Sequence, residues 1–99
     1  MNNPIAGLNK ILNNRIRLGV MSILMVNENI SFNDLKSMLE VTDGNLATHV
    51  VTLEEVGFLK VHKGFAGRKT NTTYSITRAG ENAFKVHIAA FEKIIRRTK

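Results

Sequence analysis

Apolar residues recur along most of the chain at the spacing of an α-helix. Pro4 is suited to a first helical position, so a short first helix is predicted there, and a second, strongly apolar helix is predicted over residues 15–27. Two asparagines at positions 13 and 14 separate them. The apolar side of the first helix would consist of Ile5, Leu8, Ile11 and Leu12.

Residues 32–40 and 43–56 predict two more helices, joined by a tight turn. A Ser-x-x-Asp pattern is suited to cap the first of them, and Thr42 is suited to cap the second. Gly57 supplies a glycine stop. A short helix, a tight turn and a second helix form the helix-turn-helix layout. The buried stripe of the second helix is expected to consist of Leu46, Val50 and Leu53.

The hydrophobic period changes after Gly57. Residues 58–63 and 72–76 alternate as two strands of a β-hairpin, and the turn-rich residues 64–71 predict a long tip. Thr77 is suited to cap a last helix over residues 78–97. That helix carries two apolar rows. One row is Phe84, Ile88, Phe91 and Ile95, and the other is Ala83, Val86, Ala90 and Ile94; one can pack inward and the other against a partner, and the sequence does not tell which.

Five segments, in this order and spacing, resemble small single-domain winged helix-turn-helix transcriptional regulators of the MarR/ArsR-like type. The resemblance covers nearly the whole chain and implies a dimeric, sequence-specific transcription factor. It does not identify the operator, the sign of regulation or an inducer. The segments are Arg17-Leu18, Asp43-Gly44-Asn45-Leu46-Ala47-Thr48-His49-Val50, Leu53-Glu54-Glu55-Val56-Gly57-Phe58-Leu59, Lys63-Gly64-Phe65-Ala66-Gly67-Arg68 and Thr77-Arg78-Ala79-Gly80.

The expected fold is therefore α+β and mostly α. It is a winged helix-turn-helix with three or four helices, a two- to three-stranded β-hairpin wing and a long C-terminal helix. Residues 1–99 are expected to form a single winged-helix DNA-binding domain, since the sequence shows neither repeats nor a linker.

Charge is divided unevenly along the chain. The net charge is +6, but residues 1–57 hold four bases against six acids, whereas residues 58–99 hold ten bases against two acids. Such a directional field favours a polyanionic partner such as nucleic acid, the alternative being a merely soluble basic surface. The resemblance implies that this partner is double-stranded DNA. Cysteine is absent, which agrees with a reducing, cytoplasmic setting, and no apolar run approaches the ~20 residues that span a bilayer.

The helix over residues 43–56 is the expected recognition helix. It carries no Lys or Arg, so its base contacts are expected from small polar side chains, and the wing is expected to supply most of the positive charge. His49 lies between the buried stripe and the outer face, which leaves both a structural role and a DNA contact open. The candidate DNA-binding residues of this helix are Asn45, Ala47, Thr48, His49 and Thr52.

The basic hairpin tip is the expected wing contact. Lys63, Arg68 and Lys69 are the candidates for phosphates or the minor groove, with Arg68 foremost. Arg17 has two open interpretations, a phosphate contact or an anchor to a buried carboxylate. The basic C-terminus is interpreted as a favourable end to the last helix.

A homodimer is expected, because one such domain makes few base contacts. The alternative is that both apolar rows of the last helix pack within one chain. No separate sensor domain is expected within 99 residues. A small-molecule effector, which no residue indicates, would therefore bind at the dimer interface, or control would come from a partner or from protein concentration. The candidate interface residues are Ile5, Leu8, Leu12, Val86, Ala90 and Ile94.

Other function classes fit less well. No phosphate-binding loop, nucleophile–base pair or metal-ligand spacing is present, so no enzyme, catalytic residue, metal or cofactor is predicted. RNA binding is disfavoured because the hairpin lacks an aromatic stacking platform. The main rival is a winged-helix protein-protein interaction module that does not read DNA.

Overall fold

The computed structural model describes residues 3–97. Within them, four helices and a three-stranded antiparallel sheet form a mostly helical winged-helix fold, as the sequence predicts. No helix in the described part of the chain is both long and apolar enough to cross a membrane. The elements in chain order are α1 (Arg15–Val26), β1 (Ile30–Ser31), α2 (Phe32–Leu39), α3 (Asp43–Glu55), β2 (Leu59–Ala66), β3 (Lys69–Ile76) and α4 (Arg78–Arg97).

Side-chain oxygens cap the start of every helix. Ser31, Thr42 and Thr77 accept from the backbone N–H three residues later, which confirms the three predicted caps of α2, α3 and α4. Asn14 caps α1 by accepting from two backbone N–H groups. The capping signals therefore locate the helix starts in the sequence.

The predicted first helix does not form. Residues 4–12 run instead through a series of turns. Gly7 lowers the helical propensity of this segment, and the Oδ1 atom of Asn9 accepts from the backbone N–H groups of Ile11 and Leu12 at 2.8 and 3.2 Å. The local bonds made by Asn9 thus replace the helical pattern just before α1.

The helix-turn-helix packs on α1. The two helices approach closely at Gly19 of α1, because a Cβ atom there would lie 2.6 Å from Cδ2 of Leu39 in α2. Leu12, Leu24 and Leu53 are among the residues that lose all or nearly all solvent contact in the resulting core. The core as a whole comprises Leu12, Val20, Met21, Leu24, Leu35, Leu46, Val50, Leu53, Leu59 and Tyr74.

The sheet has the strand order β1-β3-β2, with β3 in the middle. The hairpin is longer than predicted, since Ala66 pairs with Lys69 and only Gly67 and Arg68 form the turn. Gly67 has a φ of +68°, as the first central residue of a type II′ turn requires. The predicted long tip over residues 64–71 is therefore wrong: those residues continue the ladder into a two-residue turn.

The inward side of α4 follows neither apolar row completely. Its buried residues are Gly80, His87 and Ala90, while Ile95 of one row and Val86 of the other are 58% and 64% exposed. A glycine is needed at position 80, because a Cβ atom there would lie 2.1 Å from the carbonyl oxygen of Phe58. This close approach brings the start of α4 against the chain that joins α3 to the wing.

Candidate nucleic-acid interface

The outer face of α3 carries small, neutral side chains. Asn45, Ala47 and Thr48 are exposed, whereas His49 and Thr52 are half-buried at the edge of the same surface. All five candidate residues of the recognition helix therefore lie outside the Leu46–Val50–Leu53 stripe, which is buried as predicted. Val51 adds an exposed apolar side chain to this surface.

The two threonines of this face use their hydroxyl protons within the helix. The hydroxyl of Thr48 donates to the carbonyl of Gly44 at 3.0 Å, and that of Thr52 donates to the carbonyl of Thr48 at 3.2 Å. Each threonine oxygen keeps acceptor capacity toward the outside. In this geometry the threonine hydroxyls offer acceptors rather than donors to the outside.

The acid at the start of α3 is neutralised locally. Oδ1 of Asp43 lies 2.8 Å from Nζ of Lys36 in α2. Thr42, rather than Asp43, caps the helix. The negative charge that would oppose a phosphate at this helix start is therefore paired with a lysine, and the backbone N–H groups of the first turn remain suited to an anion.

His49 is tied to α1. Nη1 of Arg17 lies 2.9 Å from Nδ1 of His49, and Nε of Arg17 donates to the carbonyl of Ile11 at 2.6 Å. The pKa of His49 is lowered, mainly by burial and also by the positive charge of Arg17. Of the two interpretations left open for Arg17, the anchor to a carboxylate is wrong, because a carbonyl and an imidazole take the place of the acid.

The wing presents the basic residues expected of it. Lys63, Arg68 and Lys69 are all exposed, and Arg68 lies in the turn itself. Strands β2 and β3 contain no acidic residue. Sequence reasoning did not single out Phe65, which is 78% exposed near the tip. Its position in a strand rather than in a flexible tip was the missing information.

Two hydrogen bonds fix the wing relative to α3. The hydroxyl of Thr77 donates to the carbonyl of Gly57 at 2.6 Å, and the backbone N–H of Thr77 donates to the carbonyl of Phe58 at 3.1 Å. Gly57 itself ends α3 with a φ of +81°. The residue after the wing is thus bonded to the residues before it, so the helix and hairpin keep a defined relative position.

The predicted dimer surface is only partly available. Ile5 and Val86 are 60% and 64% exposed, and Leu8 and Ile94 are half-buried. Leu12 is wrong as an interface residue, because its side chain is fully buried in the core of its own chain. Ala90 is buried, with 9% of its surface exposed, and lines the groove described next.

An apolar groove of about 650 Å³ lies between the N-terminal turns and the second half of α4. Pro4 and Gly7 line one side, and Val86, Ala90 and Ile94 contribute from α4. Beside it, His87 is fully buried, with its Nδ1 atom accepting from the backbone N–H of Asn9 at 2.9 Å. Burial lowers the pKa of His87. Over residues 3–97, no group of three or more potential metal ligands is present.

Known proteins are similar to this chain in sequence and in fold. The profile of the winged helix DNA-binding domain family matches residues 16–95. An uncharacterized protein of Methanocaldococcus jannaschii is 39% identical over 79 residues, which is 80% of this chain and 86% of that protein. A transcriptional regulator homologue from Pyrococcus horikoshii OT3 has a TM-score of 0.84 at 31% identity, with 90% of this chain and 88% of that chain covered.

More distant structures share the fold. MarR aligns with a TM-score of 0.71 at 19% identity, covering 96% of this chain and 72% of that chain. Bacillus subtilis PadR, solved in complex with operator DNA, aligns with a TM-score of 0.67 at 15% identity, over 73% of this chain and 45% of that chain. The family and fold are those of transcriptional regulators, not of enzymes. The chain belongs to the winged helix DNA-binding domain family.

Proposed function

We propose that this single domain is a sequence-specific regulator of transcription in the cytoplasm, which binds double-stranded DNA as a homodimer. The observation that carries the proposal is the pairing of a neutral, exposed helix face with an exposed hairpin whose charged residues are all basic. The helix face has the size and polarity of a groove reader, and the hairpin has the charge of a phosphate binder.

In this proposal, α3 enters the major groove. Asn45 can bond adenine through both ends of its amide, and Ala47 can contact a thymine methyl group. Thr48 and Thr52 offer acceptors to base amino groups, since their protons are used within the helix. The N-terminal end of α3 lies toward a phosphate, where its backbone dipoles are favourable.

The wing supplies the charge that α3 lacks. Lys63, Arg68 and Lys69 contact phosphates or a narrow minor groove beside the major-groove site. Bacillus subtilis PadR, which shares the fold at 15% identity, has been solved in complex with operator DNA. Each neutralised phosphate releases counterions, so the logarithm of the affinity should fall with the logarithm of salt concentration by about 0.9 per contact.

A second copy of the chain is the proposed occupant of the groove on α4. Val86 lines the groove and is 64% exposed, and Ile5, which follows the groove residue Pro4 in the chain, is 60% exposed; both would otherwise leave apolar surface in water. Ala90 and Ile94 line the same groove, and half-buried Leu8 follows its lining residue Gly7 in the chain. A two-fold pair would place two α3 helices on the two halves of a palindrome.

Anisotropy titrations at two salt concentrations test DNA binding, with a random duplex and with a duplex selected from a random pool. Arg68→Ala is expected to weaken both duplexes alike and to lower the salt slope by about 0.9 per copy. Asn45→Ala is expected to weaken the selected duplex by about 1–3 kcal/mol and the random one little. Lys85→Ala, which removes an exposed cation of α4, is the charge-matched control.

Absence of binding at low salt would refute the proposal and favour the protein-interaction module. Equal losses for Asn45→Ala and Arg68→Ala on both duplexes would refute the division between α3 and the wing.

Sedimentation equilibrium tests the dimer. Val86→Glu is expected to give a monomer, because the new charge would be buried at the interface. Val26→Glu is the matched control, since Val26 is an even more exposed valine at the end of α1. A wild-type monomer at the concentrations used for DNA binding would contradict the proposed pairing.

A further inference from the structure

Arg17 forms no ion pair with an acid in the described chain, but it contacts α3. Its Nε atom is held by the carbonyl of Ile11, which fixes the plane of the guanidinium group, and its Nη1 atom meets Nδ1 of His49. Both contacts are 2.9 Å or shorter. The side chain therefore connects the turns before α1 to one ring nitrogen of one residue on α3.

This contact determines where the proton of His49 lies. A guanidinium group has five N–H donors and no acceptor, so Nδ1 of His49 has to accept. An imidazole that accepts at Nδ1 carries its proton at Nε2 when it is neutral. A protonated ring would turn an N–H group toward the guanidinium and bring two positive charges together. Arg17 thus selects the neutral tautomer with the proton on Nε2.

The Nε2 atom of His49 is left available. It forms no hydrogen bond within residues 3–97. It is also not buried, because the only buried side-chain polar atom without a hydrogen-bond partner in that range is Nε2 of His87. His49 follows Asn45 by four residues and precedes Thr52 by three, so the three lie along one side of α3. The free N–H group therefore belongs to the surface that carries the other proposed base contacts.

Donors are scarce on this surface, where the side-chain amide of Asn45 supplies the other exposed N–H group. The hydroxyl protons of Thr48 and Thr52 are used within the helix, and α3 contains neither Lys nor Arg. Base edges in the major groove present acceptors on guanine, adenine and thymine. A fixed N–H on a neutral ring can recognise one of them without the non-specific attraction of a charged side chain.

We propose that Arg17 is a positioning residue that holds His49 as an Nε2–H donor to a base acceptor in the major groove. The inference rests on the proposed function for its DNA contact, but the tautomer of His49 is a property of the free protein. The two parts can therefore be tested separately.

The first experiment is a long-range ¹H–¹⁵N correlation spectrum of the free protein at neutral pH, which distinguishes protonated from unprotonated ring nitrogens. His49 is expected to show its proton on Nε2 alone. Arg17→Gln is expected to release the ring into a mixture of both tautomers, and Arg15→Gln, which removes an exposed arginine two residues away, is the matched control. A mixture, or a proton on Nδ1, in the wild-type protein would overturn the proposal whether or not DNA binds.

The second experiment measures the affinity of each protein for every single base-pair variant of the selected duplex. Substitution of one particular base pair should lower the affinity of the wild-type protein roughly tenfold, as expected for the loss of one hydrogen bond. The His49→Ala protein should not show this loss. His49→Gln keeps a donor near the Nε2 position and should retain the preference, whereas His49→Asn should not. If no base pair shows coupling to position 49, the base contact is refuted even where the duplex binds; if no duplex binds, the proposed function fails as well.

Discussion

The recognition helix and the wing are stabilised in different ways. In α3 every third or fourth side chain is buried, and Leu46 and Leu53 have no solvent contact at all. In the outer half of the hairpin, residues 62–70 are exposed on both faces and are held chiefly by their own backbone ladder. The part that is proposed to read bases is fixed by the core, whereas the part that is proposed to neutralise phosphates has no core of its own.

This difference suits the two kinds of contact. Hydrogen bonds to base edges depend on positions within tenths of an ångström, so their donors and acceptors need a rigid support. Attraction between a cation and a phosphate falls slowly with distance and tolerates motion. An element with few buried contacts opens locally at low cost, which lets the wing adapt to the DNA backbone.

The largest effect is expected where a residue of α3 is removed from the core. Leu53→Ala should lower the free energy of unfolding by about 2–5 kcal/mol, because it leaves a cavity in a packed interior. Phe65→Ala removes a larger side chain from the wing but should change stability by less than about 0.5 kcal/mol. Urea unfolding of both variants measures the contrast. A loss of similar size in both would show that the wing is packed after all.

A smaller effect is expected at the junction between the two regions. Gly80→Ala would bring a Cβ atom against the carbonyl of Phe58, a backbone group that cannot rotate away. Overpacking of this kind costs about 1–3 kcal/mol. Gly64→Ala is the control, because nothing lies within 4 Å of its added Cβ. Thermal unfolding should show a lower midpoint for Gly80→Ala alone; equal midpoints would mean that α4 shifts without cost.

Acid should destabilise the helical part of the molecule rather than the wing. Burial holds the pKa of His87 below its ordinary value of 6.5, so below that pH the unfolded chain binds a proton that the folded chain does not. The free energy of unfolding therefore falls as the pH drops from 6.5 toward the folded-state pKa. Partly buried His49 contributes in the same direction.

Urea unfolding between pH 7.5 and 5 measures this effect. His87→Gln should flatten the dependence of stability on pH, because the buried group no longer titrates. His62→Gln, which removes an exposed histidine of the hairpin, should keep the slope that His87 causes. A steep slope in the His87→Gln protein would assign the acid sensitivity to other groups.

Local signals explain most of what the sequence could predict. The caps Ser31, Thr42 and Thr77 and the stop at Gly57 are determined by neighbours within a few residues, so these boundaries agree with the structure. The Arg17–His49 contact joins residues 32 apart, and no periodicity indicates it.

Competition between bonds explains the main errors. The helix predicted after Pro4 is replaced by turns in which the side chain of Asn9 accepts from the backbone N–H of Ile11. The backbone N–H of Asn9 in turn donates to Nδ1 of His87 in α4, a contact between distant residues. The error at Leu12 follows from the first one. The predicted helix would keep Leu12 on one outer face, whereas in the observed turns its apolar side chain packs into the core. Glu40 ends α2 with a φ of 55°, a conformation that favours glycine and that no sequence signal marked.

The smallest expected changes in stability, those of Gly→Ala substitutions, have opposite signs in α3 and in the wing. Gly44→Ala, in the first turn of α3, adds a Cβ with nothing within 4 Å and should stabilise the protein by about 0.5 kcal/mol, since alanine restricts the unfolded chain and favours the helix. Gly67→Ala in the hairpin turn also adds a Cβ in open space, but its φ of +68° should make the change destabilising by about 1 kcal/mol.

The same substitution thus distinguishes the two kinds of support. In α3 the backbone already has a geometry that any residue adopts, whereas in the wing the turn itself depends on glycine, because little else holds the hairpin tip. Differential scanning calorimetry of the two variants measures both signs. If Gly67→Ala left the unfolding transition unchanged while hydrogen exchange at residues 63–70 became faster, the tip would open separately from the core, and the independence of the wing would be greater than its hydrogen bonds suggest.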